Sequence, residues 1–486
     1  MSKFSRLENA IIVLLTLGVA LLYAYVGTTK HNHFQTFAWD TSVFVQQAYL
    51  ASQLKAPLSS LHHGMHGLAD HFQVTFLIFG GLFFKIWGNP ESLFLLQALA
   101  SAFSGFILFL ISRLVLQKTA LSKNVVFFCS LALTLTYFFS VSFQAMMTDE
   151  FHNEPLAVVP LLLMVYFHLK KNQVKYWLSF IVLLLTKEIY GLLAIPFATY
   201  VFFSSREYKK AVATGLLGTA AFLLLVFKIM PELGGSSEYF HFDSGNNPSH
   251  MMNKFTDNPA LLATNFFDNQ EKRKTILVSV ADFSFLPLLS PTGLILPAAS
   301  LAIRFYDDTT PRLYEFNNHY AVPFLPFLAV GALFGLVNLL KFSKKSKLSA
   351  NAVGIGVSVS LLILTGSQDL ILHGPLNSLG KSSFYRYSGA QSDALELVKM
   401  VPPDISVASQ NSLLPHLSER QNFYLLPEVG NAQYIAVDLT DGPNKFSPAT
   451  QPEIKNLING LIKNGKYKII WQQNQAILLQ KIDNHF

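Results

Sequence analysis

Apolar runs of about 15 to 25 residues recur from residue 10 to about residue 366 of this 486-residue chain. A helix needs roughly 20 residues to cross about 30 Å of hydrocarbon. One water-soluble core has no use for so many runs of that length. With 13% charged residues and 43 phenylalanines, the chain reads as a polytopic α-helical membrane protein. The first run, Ala10 to Val26, follows Lys3 and Arg6 as a signal peptide would. No small-residue cleavage site ends it and more runs follow, so an uncleaved first helix is expected. The one cysteine, Cys129, lies inside an apolar run and reads as a small core residue. The net charge of +7 does not indicate nucleic acid, because the basic residues are scattered over short loops.

Those loops orient the chain, since short loops rich in Lys and Arg stay cytoplasmic. Five clusters qualify: Lys3 and Arg6; Arg113, Lys118 and Lys123; Lys170, Lys171 and Lys175; Arg206, Lys209 and Lys210; Lys341, Lys344, Lys345 and Lys347. Keeping all five inside demands an even number of crossings between each consecutive pair. The run 73–87 is therefore expected to lie in the outer interface, with 91–112 as the second span. The long run 174–204 splits at Thr186-Lys187-Glu188, which puts its charged pair at an outer turn. The expectation is eleven spans: 8–27, 91–112, 124–143, 155–169, 174–186, 189–204, 211–230, 275–290, 292–304, 320–340 and 350–366. Residues 1–370 then form a transmembrane domain with an outer first loop, 28–90, and a cytoplasmic N-terminus. Of the 14 histidines, only His168 falls at a cytoplasmic end.

Beyond about residue 380 the span-length runs stop. Residues 380–486 are expected to form a small extracytoplasmic α/β domain. Its predicted elements are a helix at 391–401, strands at 405–409, 422–426 and 433–439, a helix at 452–463, and a terminal hairpin from YKIIWQ and AILLQK.

The outer loops collect the chemistry. FAWDTSVF holds Asp40, and HHGMHGLADHF holds His62, His63, His66, Asp70 and His71. TDEFHNEP supplies Asp149, Glu150, His152 and Glu154, and TKE supplies Lys187 and Glu188. RFYDDTTPRLYEFNNHY adds Arg304, Asp307, Asp308, Arg312, Glu315, His319 and Tyr320. A carboxylate at the membrane surface can act as a general base, and clustered carboxylates and imidazoles can bind a divalent cation. Lys and Arg beside them can hold a phosphate. The plainer reading of any one such residue is a solvated loop side chain, and of Lys187 beside Glu188 an ion pair at a helix junction. Asp40 stands apart, because Phe37, Trp39 and Phe44 give it an apolar, aromatic setting. His62 and His66 have the i, i+4 spacing of a zinc pair, yet Gly64 and Gly67 argue against a helix there. For His416, after Pro415, a structural role is the default.

FAWDTSVFVQQAYL, HGLADHFQVTFLIFGGLFFKIWGNPESLFLLQALA, DEFHNEPLAVVPLLLMVYF, LLTKEIYG, FLPLLSPTGLILPAASLAI, NNHYAVPFLPFLAVGAL and SVASQNSLLPHLSERQNFYLLPE follow one another in the chain. In that order they resemble the bacterial predicted membrane proteins called domain of unknown function 2079. That family is in turn similar to the GT-C class of membrane glycosyltransferases. The resemblance implies a multi-pass protein of the bacterial cytoplasmic (inner) membrane. It also implies inverting transfer of a sugar from a polyprenyl-phosphate carrier to an outer-side acceptor, with a first-loop Asp beside the first span; Asp40 occupies that place. Where relatives read Phe-Asp this chain has Trp39-Asp40, and where they often read Phe-His-Pro-Glu it has Phe151-His152-Asn153-Glu154.

On this reading Asp40 is the candidate catalytic residue. The candidate substrate-binding set is Asp70, His71, Asp149, Glu150, His152, Glu154, Lys187, Glu188, Arg304, Arg312, His319 and Tyr320. The partners expected are the polyprenyl-phosphate sugar, the lipid bilayer and a glycan, lipid or protein acceptor, with no nucleic acid. No Asp-x-Asp motif calls for a metal, and a divalent cation stays open as an alternative. Two other functions compete: a transporter or flippase of a lipid-linked substrate, and a non-catalytic membrane scaffold. A transporter would need ionisable groups near the bilayer midplane; here they gather at one face.

Overall fold

The computed structural model describes residues 6–235, 253, 256–306, 311–322, 324–345, 348–440 and 447–482. Most of them are helical. Five helices are long and apolar enough to cross a membrane: Arg6–Asn32, Glu91–Leu116, Tyr208–Glu232, Phe324–Lys344 and Ala350–Leu372. Lys123–Phe139 and Val141–Thr148 add a sixth if this pair, bent by 48°, is one crossing. The bend has a local cause. Ser140 leaves the helical region (φ −58°, ψ 144°) and its Oγ accepts from the Phe143 N–H, capping the second piece.

Shorter apolar helices occupy Val74–Trp87, Pro155–Leu169, Gln173–Leu184, Tyr190–Ser205 and Pro291–Ala302. Even the 16 residues of Tyr190–Ser205 rise only about 24 Å. By length and composition, five or six of the eleven expected crossings are supported. The run expected to span at 275–290 is not one helix. Gln270–Asp282 begins with four charged residues, and the chain then turns through Ser284 and Phe285, both at positive φ, into a 3-10 turn at Leu286–Leu289. Pro287 lacks the N–H that a continuing helix would use.

The bundle closes around one apolar core in which Tyr23, Leu108, Tyr137, Leu161, Phe197 and Leu328 are buried. Large apolar side chains also cover its outside, among them Leu14, Leu21, Leu217, Ile363 and Leu370. An apolar exterior of that kind suits hydrocarbon rather than water. Two helices meet through small residues. A Cβ on Gly218 would lie 2.1 Å from the Ala194 Cβ and 2.7 Å from the Gly191 carbonyl oxygen, so Tyr190–Ser205 and Tyr208–Leu224 touch backbone to backbone.

Helix direction sorts the two ends of the bundle. Glu91–Leu116 carries Gln97 near its start and Arg113 near its end, where Arg113 pairs with Glu8 at 3.0 Å. Pro155–Leu169 starts after Glu154 and ends at His168, whose ring meets Ser204 and Lys210. The basic clusters at 113, 170 and 206 therefore lie at the end opposite the 149–154 and 187–188 turns.

Residues 389–440 and 447–481 hold a five-stranded sheet with two flanking helices. Strand order is Phe423–Leu425, Val407–Ser409, Tyr434–Asp438, Ala476–Lys481, Tyr467–Gln473. The first three strands are parallel and the last two antiparallel. Alternation along the strands gives two apolar faces. Val407, Ala436 and Leu478 pack with Leu397 of helix Gly389–Met400; Ala408, Ile435 and Leu479 pack with Ile454 and Ile458 of helix Gln451–Lys463. Each helix starts with a capping box, at Ser388 and Thr450. The expected strands and helices fall at these positions within two residues. The sheet region is fastened to the first loop: the His416 ring stacks on His31 at 4.0 Å and its Nε2 lies 3.0 Å from the His31 carbonyl oxygen.

Candidate active site

Six residues, 149–154, join helix Val141–Thr148 to Pro155, which starts the next helix. Their backbone is gripped by side chains from neighbouring helices. The Lys30 amine donates to the carbonyls of Thr148 and Asp149. Gln97 donates to the Glu150 carbonyl (3.2 Å) and accepts from the His152 N–H (2.8 Å). Asn153 donates to Gln73 (2.6 Å), and Gln73 in turn donates to Gln47 (2.6 Å). A buried loop must place its polar backbone groups somewhere, and amide side chains serve here.

The loop after the first helix meets this turn through Glu150. Its Oε2 accepts from the Phe37 N–H and the Thr41 hydroxyl, both at 2.8 Å. Those two donors bracket Asp40, which lies in a single π-helical turn, Ala38–Ser42. Such turns occur frequently at functional sites. On its other side the Ala38 N–H donates to Asn411 (2.9 Å), so the sheet region also holds this turn. Asp40 Oδ1 then stands 3.8 Å from His152 Nδ1, with a third of its side chain exposed.

The charges interlock. Asp149 Oδ2 lies 3.0 Å from His319 Nδ1, 3.5 Å from Arg312 and 3.8 Å from His152 Nε2. Burial alone would raise its pKa, but the His319 hydrogen bond and these neighbouring charges hold it well below the usual carboxylate range. Burial and the negative charge of Asp40 push Glu150 the other way, up to about 8. His152 is forced down to about 4 by burial and by His319, whose ring stacks on it at 3.4 Å.

Lys187 and Glu154 form a buried pair at 2.5 Å. Burial opposes both charges, yet each holds the other ionised: Glu154 is shifted down and Lys187 up. Glu188 closes the next loop by accepting from the Phe72 N–H (2.7 Å) and meeting His71 Nδ1 at 3.1 Å. Burial and Lys187 oppose a proton on His71, but Glu188 outweighs them and raises its pKa. Tyr320 feels the charges of Glu154, Lys187, Asp40 and Arg312, which places it in the same cluster.

Over residues 30–478 the chain matches the family described as predicted membrane protein (DUF2079). The chain belongs to the DUF2079 family. Among solved structures, this DUF2079 protein is similar to ArnT from Cupriavidus metallidurans bound to undecaprenyl phosphate, with a TM-score of 0.51 and 13% identity over 97% of this chain and 98% of that one. It is also similar to the same protein in the apo state, with a TM-score of 0.50 and 12% identity over the same shares. At such identities the likeness is one of fold. No curated protein matches.

Most of the residues expected in the site of this DUF2079 protein do converge: Asp40, His71, Asp149, Glu150, His152, Glu154, Lys187, Glu188, Arg312, His319 and Tyr320. Asp70 connects to the cluster through its charge on His71. Arg304 plays a different part from the phosphate ligand envisaged for it. Its guanidinium is buried and donates to the carbonyls of Leu313 and Glu315 (2.9 and 2.8 Å), holding the loop that carries Arg312. Asp307 and Asp308 lie outside the described residues. His66 ends the second strand of a two-residue-per-strand ribbon and His62 lies in its turn, neither on a helix turn shared with the other; His62 meets Ser59 at 3.0 Å and His66 accepts from the Leu68 N–H.

Sequence reasoning missed Lys30, Thr41, Gln47, Gln73, Gln97 and Asn153. One signal was available: Gln97 interrupts an apolar run, LFLLQALAS, and a polar residue inside a span calls for a partner. As for a metal, Asp149, His152 and His319 offer ligand atoms within 4.8 Å of one another, and buried His152 Nε2 has no hydrogen-bond partner. Two imidazoles and a carboxylate could hold a divalent cation, although the Arg312 guanidinium competes for Asp149.

Proposed function

We propose that this DUF2079 protein is an inverting membrane glycosyltransferase that moves a sugar from a polyprenyl-phosphate carrier to an extracytoplasmic acceptor. The observation that carries the reading is the convergence of the Asp40 turn with the 149–154 loop, where Asp40 stands half-open beside His152 at one end of an apolar bundle. Asp40 accepts the proton of an acceptor hydroxyl as that oxygen attacks the anomeric carbon; the bond from that carbon to the phosphate oxygen breaks, and polyprenyl phosphate leaves. Arg312, whose side chain is a third exposed, is the cation best placed to meet the leaving phosphate. Lys187 is already paired with Glu154, so it supports the site chiefly by keeping that carboxylate charged and fixed. The fold likeness to an ArnT structure holding undecaprenyl phosphate supports a lipid carrier of that chemistry.

In this reading the five long helices, the bent pair Lys123–Phe139 and Val141–Thr148, the shorter helices Pro155–Leu169, Gln173–Leu184, Tyr190–Ser205 and Pro291–Ala302, and the broken segment 270–289 make eleven crossings of a bacterial inner membrane, with Val74–Trp87 in the outer interface. The basic end faces the cytoplasm, and residues 380–486 form an extracytoplasmic α/β domain. The gathering of titratable groups at one end favours surface chemistry over passage.

The test is Asp40→Asn. Purified protein is incubated with a panel of radiolabelled polyprenyl-phosphate sugars and membrane acceptors. The native protein is expected to release polyprenyl phosphate, and the variant to retain its fold and carrier binding while losing about 100-fold or more of the rate. Near-native transfer by the variant removes Asp40 from the mechanism; no turnover by the native protein across the panel removes the reaction.

A further inference from the structure

A second cavity, of about 620 Å³, adjoins the site without opening on Asp40. It lies against the last turn of the first helix and Thr148, and residues 375–391 close it. Its charged lining has one sign. Lys30, Lys381 and Arg386 contribute to it, beside His33, whose pKa burial lowers, and no Asp or Glu does among the described residues. The remaining wall is mostly hydroxyl and amide, with Phe384 and Tyr387 beside it. Binding pockets of about 300–1,000 Å³ are usually lined by apolar side chains. This one has the size with a lining shared between polar and apolar surface, and its formal charge is all positive, which favours a negatively charged occupant.

The wall is built rather than incidental. Tyr25 of the first helix packs edge-on against Phe384 at 6.0 Å, and His33 packs against Tyr387 at 4.6 Å. Gln391 donates to the His33 carbonyl (3.0 Å), and Tyr385 to the Leu379 carbonyl (2.8 Å). The Lys and Arg ion pairs described near the site are Lys187 with Glu154 and Arg312 with Asp149. Among the described residues, Lys381 and Arg386 belong to no ion pair, and both are exposed where they line the cavity. Tyr25 and Leu21, exposed on the same helix below, set the cavity next to an apolar belt.

We propose that this cavity binds a phosphate-bearing ligand at the membrane edge, separate from the carrier phosphate at Arg312. Ammonium and guanidinium groups converging with hydroxyls and amides offer a phosphate the charge-assisted donors it needs. Thr148 lines the cavity and the Lys30 amine binds the Thr148 and Asp149 carbonyls, so an occupant rests against the back of the catalytic loop. Within the transfer reading this is the place for an anionic acceptor; the binding itself does not depend on that reading.

The test uses the full-length protein in detergent, titrated calorimetrically with dihexanoyl phosphatidic acid, inorganic phosphate and, as a zwitterionic control, dihexanoyl phosphatidylcholine. Phosphatidic acid is expected to bind and phosphatidylcholine to bind at least 10-fold more weakly. Inorganic phosphate binding alongside phosphatidic acid assigns recognition to the phosphate alone; phosphatidic acid binding by itself assigns it to a lipid headgroup. The exposed pair Lys381→Glu/Arg386→Glu, and separately the neutral Lys381→Met/Arg386→Met, should each elute as native and lose at least 10-fold in affinity. Asp40→Asn should bind as native, which separates failure here from failure of the transfer reading. No binding of either anionic probe to the native protein, or unchanged affinity in both double variants, overturns the proposal.

Discussion

Glu150 is buried beside Asp40 and Asp149, and burial first and then those negative neighbours favour its keeping a proton. Its pKa is raised to about 8. The sign of its effect follows. An acid whose folded pKa exceeds its unfolded value of 4.5 stabilises the fold fully below 4.5, and that contribution is lost as pH rises toward 8. His152 works in the opposite sense: its pKa falls from 6.5 to about 4, so its contribution is present above 6.5 and lost as pH falls toward 4. Between about 6.5 and 8 Glu150 acts alone of the two. Thermal melts of the native protein should therefore drop across that window, by roughly 2–4 °C for each kcal/mol lost. Glu150→Gln, which mimics the protonated acid, should lose most of that slope and keep only the part due to His71, whose raised pKa also makes stability fall as pH rises; an unchanged slope would show that Glu150 is not the group responsible. The acids themselves were legible in the sequence, because three carboxylates beside an imidazole in TDEFHNEP stand out between apolar runs. Gln47, Gln73 and Asn153 were not. Their role depends on register between distant helices, which no local pattern records.

At the scale of elements, hydropathy located nearly every helix but not where each one stops. The break at Ser140 comes from one serine adopting an extended backbone, and the break after Asp282 from two residues at positive φ before a proline. Neither changes the local hydropathy. The short helices on either side of the Lys187 turn were foreseen from charge parity. The packing of the second of them, Tyr190–Ser205, against Tyr208–Leu224 was not, because it depends on two glycines, Gly191 and Gly218, facing each other. Gly218→Val should lower the melting temperature through about 1–3 kcal/mol of overpacking, since the obstructing atoms include the Gly191 backbone. Gly215→Ala on the same helix supplies the control: its Cβ would meet Ala198 at an ordinary 3.4 Å, and its melt should match the native one. Equal melts for both variants would mean that the two helices separate freely.

For the whole molecule, charge parity anticipated the separation of acidic turns from basic loops, since it treats each helix only as a connection between two ends. It could not anticipate how tightly the C-terminal sheet grips the first loop, a contact between residues more than 370 positions apart. Sidedness is open to direct measurement. Reporter fusions after residues 150, 188 and 380 should all register outside, and one after residue 206 inside; any of the first three reporting cytoplasmic breaks the proposed site. The hydrogen bond from Ala38 to Asn411 bears on biosynthesis. A ribosome delivers the Asp40 turn first and its Asn411 anchor more than 370 residues later, so the helices between them are made while the turn is still incomplete. A polypeptide cut short before Asn411 would lack that anchor and leave the Asp40 turn unheld on the side of the sheet.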